Sequence, residues 1–259
     1  MKVVGHLTIT FLVLVCMTSA SSCYAFFPQP GEVAASIDKE MRPLSSFQAI
    51  LSFPQYPDLS CNLWVQGNQW RQELVETVQG HPRLVGVALG TGDSVVREFP
   101  PHGRVPVPDL VMWRFPLEKW QNMGMDPSIM SYQFLIDRPC LVVGAQDGEL
   151  HATQLWMDKE RHVPVRAIWH KGTTQYDLIW DAWARLGNFW LPHTMWRAVG
   201  GQRPVEIHIR WNGVNIGLKN DLFSASALDR QFQGTVLYPS SSSWLFLGQR
   251  AVSGSQAAH

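Results

Sequence analysis

From Cys61 onward the chain breaks into short β-favouring runs, cut by Gly, Pro, Asn or Asp about every eight to twelve residues. That rhythm points to an antiparallel sheet, because tight turns join only strands that run in opposite directions. In the clearest run, Val205, Ile207, Ile209 and Trp211 share one face while Glu206, His208, Arg210 and Asn212 share the other. One face is dry and one is wet. A second run sets Tyr176, Leu178 and Trp180 against Gln175, Asp177, Ile179 and Asp181. Further strands are expected near 62–66, 69–78, 83–89, 93–99, 140–145, 152–157, 163–170 and 189–199. About ten strands suffice to curl strongly or to close.

Gly90-Thr91-Gly92-Asp93 reads as a hairpin turn, since the Lys and the following helix of a phosphate loop are missing. Between Pro106 and Tyr132 the alternation stops, and Trp113, Phe115, Leu117, Trp120, Met123, Met125, Ile129 and Met130 are interspersed with Pro116, Gly124 and Pro127. Helical pieces over the sheet are expected there, either as an adaptable lid or as a cap on one end of the core. Residues 32–53 have mixed helical spacing through Ala34, Ile37, Met41 and Leu44, which predicts one short helix. Beyond Leu228 the chain turns polar and ends in a tail rich in small residues.

At the other end, Lys2, an apolar run from Leu7 to Met17 and then small residues form a secretory signal peptide over 1–25. Cleavage after Ala25 competes with lipidation at Cys23, since Ala20-Ser21-Ser22-Cys23 is a weak lipoprotein signal. An exported chain with Cys61 and Cys140 in its domain could pair them as a disulfide or bury them as two free thiols. The formal net charge is zero and charged residues make up 16%, so no electrostatic footprint for nucleic acid exists. Twelve Trp, twelve Phe and nine Met exceed what an ordinary core explains, which leaves a large interior or one lined for a ligand.

No catalytic constellation converges. There is no Gly-x-Ser-x-Gly elbow and no His-Glu-x-x-His helix, and the histidines, His208 among them, lack metal-ligand spacing. Asp158 with Glu160, or Asp177 with Asp181, could pair as hydrolytic carboxylates, although Asp158-Lys159 reads as a turn. The reading is a non-enzyme with no cofactor and no metal. Its rivals are a glycan-binding or envelope-sensing β-domain and, behind them, a hydrolase.

Several stretches, taken in order, resemble the LolA/LolB superfamily of outer-membrane lipoprotein carriers. They are Trp70-Arg71-Gln72-Glu73, Leu155-Trp156-Met157-Asp158-Lys159 with Val163-Pro164-Val165-Arg166, Gly187-Asn188-Phe189-Trp190-Leu191-Pro192, and Trp211-Asn212-Gly213-Val214-Asn215 with Leu222-Phe223. The resemblance implies a mainly β (α+β) fold: a strongly curved antiparallel sheet, or incomplete β-barrel, with a helical lid over an apolar cavity. It also implies a periplasmic carrier of lipid or lipoprotein acyl chains that meets membrane-associated donor and acceptor proteins. Arg71 matches the position that latches the lid in such carriers, and as an alternative it forms a surface ion pair with Glu73.

The expected organisation is a leader with one helix over 26–59, a half-barrel over 60–228 with the lid near 106–132, and a C-terminal extension over 229–259. The expected lining is Trp64, Leu74, Leu155, Met157, Trp180, Trp190, Ile207, Ile209 and Trp211 from the sheet, with Trp120, Met123 and Met130 from the lid. A register error of one residue would invert these sides.

Overall fold

Twelve strands form one antiparallel sheet in a computed structural model that describes residues 27–41, 43–100, 107–235 and 237. Helix α1 (Pro30–Met41) comes first, followed by β1 (Ser46–Ser52), β2 (Leu59–Gln66), β3 (Gln69–Val78), β4 (His81–Thr91) and β5 (Ser94–Phe99). A 3-10 turn (Asp109–Arg114) and α2 (Leu117–Asn122) lead to β6 (Met130–Leu135), β7 (Arg138–Val143), β8 (Gln154–Asp158), β9 (Pro164–Lys171) and β10 (Thr174–Asp181). The hairpin of β11 (Ala184–Leu186) and β12 (Phe189–Leu191) stands apart from the main sheet. The chain closes with β13 (Thr194–Val199), β14 (Val205–Val214), a second 3-10 turn (Asn220–Phe223) and α3 (Ala225–Phe232).

The strand order is β5-β4-β3-β2-β1-β14-β13-β10-β9-β8-β7-β6. Two meanders therefore meet where β1 pairs with β14, and β5 and β6 stand at opposite edges. The sheet curls without closing into a barrel. Bulges at Gln48/Ala49, Leu74/Val75, Leu89/Gly90 and Trp156/Met157 add bend and twist. Between the two edges the chain passes through the first 3-10 turn and α2, which cover the inner face of the sheet.

Each face follows from the two-residue period. On β1, Phe47, Ala49 and Leu51 point inward and are buried, and their neighbours Val65, Leu63 and Cys61 on β2 do the same. On β3 this row continues through Trp70, Gln72 and Leu74. Trp70 lies across Gly90, where a Cβ would sit 2.0 Å from the indole, and its N–H donates to the Gly92 carbonyl at 2.9 Å. Only glycine leaves room for that ring. On the convex face, Val87 and Leu89 of β4 pack under Leu228 and Phe232 of α3. The Ser224 hydroxyl caps α3 by accepting from the Ala227 N–H at 3.2 Å.

Four expectations change. Residues 26–59 are not a mere leader, because β1 within them sits between β2 and β14 at the middle of the sheet. Its alternation was hidden by the helical spacing of α1 running into it. The lid ends sooner, because Met130 opens the edge strand β6. The run 189–199 is two strands in two sheets, broken at Pro192 and His193. The C-terminal extension includes the last residues of α3, which are packed on the sheet. The signal peptide, Cys23 and the tail beyond Leu237 lie outside the described residues.

Candidate ligand-binding site

The inner face is a broad apolar floor. One row runs across it through Leu74, Cys61, Leu51 and Ile209, and a second through Val143, Leu155, Ala167, Leu178, Arg197 and Val205. Trp180 stands beside Met195, which faces Ile207. The cover is built from α1, the first 3-10 turn and α2. Val33 and Ile37 form the buried side of α1, and the 3-10 turn buries Leu110, Val111, Met112 and Trp113. Trp113 meets Trp211 edge-on at 6.3 Å between ring centroids and Trp183 at 6.0 Å. Trp120 of α2 meets Trp169 of β9 at 6.2 Å.

Polar ties fix the cover to the floor. Arg197 rises from the apolar row and ion-pairs with Asp109 in the 3-10 turn, with Nε and Oδ2 2.6 Å apart. Burial pushes the Asp109 carboxyl above its ordinary value, and the Arg197 charge only partly opposes that. Arg114 donates to the Leu44 carbonyl and sits over the Phe47 ring. Lys119 pairs with Asp93 in the β4–β5 turn at 2.7 Å.

Two small clefts flank the cover. One, of about 210 Å³, lies between α1 and β6–β8 and is lined by Val33, Tyr132, Leu141 and Met157, with Lys159 and His162 among its polar groups. The other, of about 270 Å³, lies between the 3-10 turn and β2–β3, beside Val65, Trp70, Val111 and Phe115. A larger groove of about 610 Å³ is on the convex side, lined in part by Leu135, Ile136, Pro139, Ile179 and Trp196. Its arginines are both paired, Arg138 with Asp181 at 2.9 Å and Arg161 with Asp158 at 2.8 Å. The covered inner face therefore remains the candidate site.

Of the expected lining, Leu74, Leu155, Met157, Trp180, Ile207, Ile209 and Trp211 share this face, with Trp120 buried above it and Met123 packed at its side. Met130 reaches the same face from β6, opposite Val143, rather than from the lid. Trp64 does not join them. It is one residue out of phase with Leu63 and Val65 and stands on the convex side opposite Arg71. Trp190 belongs to the separate hairpin, with Arg161 5.1 Å over its ring.

The latch assignment is corrected. Arg71 is out of phase with Trp70 and so points away from the cover. It binds Glu73, the Leu222 carbonyl and Gln231, tying the second 3-10 turn and α3 to the convex face. The tie to the cover is made by Arg197, which sequence reading missed because the break at Pro192 hid the register of β13. The discoverable signal was an Arg in phase with Met195 and Val199.

Cys61 and Cys140 are both free and buried, on β2 and β7 with six strands between them. Burial pushes their thiols up to about 12 and about 11. The candidate carboxylate pairs are engaged elsewhere. Asp158 accepts from the backbone of Glu160 and Arg161, and Asp177 holds Arg166 in a two-point pair. His208 is exposed beside Glu206. Among the described residues no cluster of His, Cys, Asp or Glu could hold a metal ion, and no helix is long and apolar enough to cross a membrane.

No family model and no curated protein matches the chain. Among solved structures it is similar to a LolA superfamily protein from Nitrosomonas europaea, at 12% identity and TM-score 0.49, covering 77% of this chain and 99% of that one. It is similar also to a structure described as an outer membrane lipoprotein-sorting protein domain from Vibrio parahaemolyticus, at 13% identity and TM-score 0.37, covering 77% and 97%. A third is a DUF1329 family protein from Desulfovibrio piger, at 14% identity and TM-score 0.40, again covering 77% and 97%.

Proposed function

We propose that this protein is an exported, periplasmic carrier that shields the acyl chains of a lipid or lipoprotein between the inner face of its sheet and the cover. The observation that carries this reading is the construction of the cover. An apolar floor is roofed by a Trp- and Met-rich layer held on through Arg197–Asp109 and Lys119–Asp93. Polar ties of this kind can release without unmaking the sheet. Acyl chains that replace the cover against the floor would gain about 0.8 kcal/mol per buried methylene before entropic costs. No bond is made or broken. A carrier hands its load on, so membrane-associated donor and acceptor partners are part of the proposal.

Placement of the tryptophans supports the carrier over the glycan binder. A sugar platform presents its rings to solvent, whereas none of the described Trp side chains is exposed. The test is native mass spectrometry with lipid extraction on protein purified from the periplasm. A co-purifying lipid or acylated peptide is the expected result. Protein that is empty and that also fails to bind fatty-acid probes overturns the reading.

A further inference from the structure

Seven indole N–H groups divide by position. Those of Trp70, Trp156, Trp183 and Trp211 donate to Gly92 O, Gln154 Oε1, Trp180 O and Pro192 O at 2.7–3.0 Å. Those of Trp113, Trp120 and Trp180 have no acceptor among the described residues, although all three side chains are no more than 1% exposed. A buried indole N–H ordinarily finds a partner, because leaving it without one forfeits its hydration for nothing in return. These three orphans belong to one layer. Trp113 and Trp120 hang from the cover, and Trp180 rises from the floor beneath it. Two strings of contacts build the layer. Trp113 packs on Trp183, which donates to the Trp180 carbonyl, and Trp120 packs on Trp169, which stacks on Tyr176 of the same strand as Trp180.

A purely hydrocarbon ligand would leave these donors as they are. A ligand with strong, neutral acceptor oxygens set within apolar surroundings would satisfy them, and that description fits the carbonyls of fatty-acyl esters. Carboxylate and phosphate headgroups fit less well. The cations beside this layer are engaged, Arg197 with Asp109, Lys119 with Asp93 and Arg114 through one guanidinium nitrogen with the Leu44 carbonyl. We infer that the site selects acyl esters over equally long alkyl chains, with the indole N–H groups of Trp113, Trp120 and Trp180 donating to the ester carbonyls. The inference rests on the carrier reading and narrows its ligand class.

The test compares 1-oleoylglycerol with its 1-O-alkyl ether, which has the same chain and headgroup but no carbonyl. With the full-length mature protein, the ester is expected to bind about tenfold more tightly, the factor that one satisfied buried donor supplies. The indole N–H resonances of Trp113, Trp120 and Trp180 are expected to move downfield with the ester and not with the ether. Trp→Phe at each position keeps a ring and removes the donor, so it should bring the ratio of ester to ether affinity toward one, a ratio in which the change of ring size cancels because both ligands carry the same chain. Equal affinities with unmoved indole resonances overturn the inference and leave the carrier intact. If neither compound nor any fatty-acid probe binds, the carrier reading falls and the inference with it. The comparison on unaltered protein stands even where a Phe variant does not fold.

Discussion

Ile136 carries two costs for the fold and returns nothing visible to it. It occupies the turn between β6 and β7 at φ 59°, a conformation that a β-branched side chain resists, and it is 84% exposed. Replacing it with glycine relieves the strain and removes no buried contact. Ile136→Gly is expected to raise stability by about 1 kcal/mol, read as a higher denaturant midpoint with an unchanged slope. A lower midpoint would show that the side chain contributes more than the backbone loses. Asp109 presents the opposite case, a charge placed where burial opposes it. Its raised pKa means that the folded chain holds the proton more tightly than the unfolded chain does. By linkage its contribution is fully present below the ordinary value of 3.8 and is lost as pH rises through the raised value. The non-titrating variant Asp109→Asn supplies the reference. The melting temperature of the natural protein minus that of the variant should fall as pH is raised from about 4 to about 7. A difference that stays flat across that range would remove the carboxylate from the stability of the cover.

Elements divide by which face of the sheet they serve. Helix α3 packs Leu228 and Phe232 over Val87 and Leu89 on the convex side, and Arg71 ties it down. Its loss should therefore weaken the fold without touching the ligand. Leu228→Ala is expected to cost about 2–5 kcal/mol and to leave the affinity for an acyl probe within twofold of the natural value. A matching loss of affinity would mean that the two faces are coupled. The same division explains what the sequence revealed. Strands with strict alternation, such as β14 and β10, were legible residue by residue, because Ile207 and Ile209 or Leu178 and Trp180 can face only one way at once. β1 was hidden by the helical spacing from Ala34 to Leu44, and β6 by the aromatic and Met-rich segment leading into it. Trp64 and Trp190 were misplaced for a simpler reason: a large aromatic reads as core wherever it stands, and only the register tells Trp64 from Leu63 and Val65. The Asp109–Arg197 tie was illegible because it joins residues 88 positions apart in elements whose contact no local pattern encodes.

Among the described residues the inner face is covered. The two meanders share one floor through β1 and β14, the first 3-10 turn and α2 cross above that floor, and the two clefts described beside the cover hold about 210 and 270 Å³. Ligands of ordinary size occupy roughly 300–1,000 Å³, so an acyl chain reaches the floor only after the cover moves. Opening exposes Trp113, Trp120 and the apolar rows beneath them to water, which keeps the open form a minor population. Binding through a minor form leaves a kinetic signature. As the acyl probe is raised in excess over protein, the observed association rate should level off at the opening rate. Arg197→Met, which removes one side of the tie and keeps an apolar stem against the floor, should raise that plateau. It should also tighten apparent affinity, because less of the binding energy is spent on opening. A rate that climbs linearly with probe concentration in both proteins would mean that the floor is reached without displacing the cover. The two flanking clefts would then have to be the points of access.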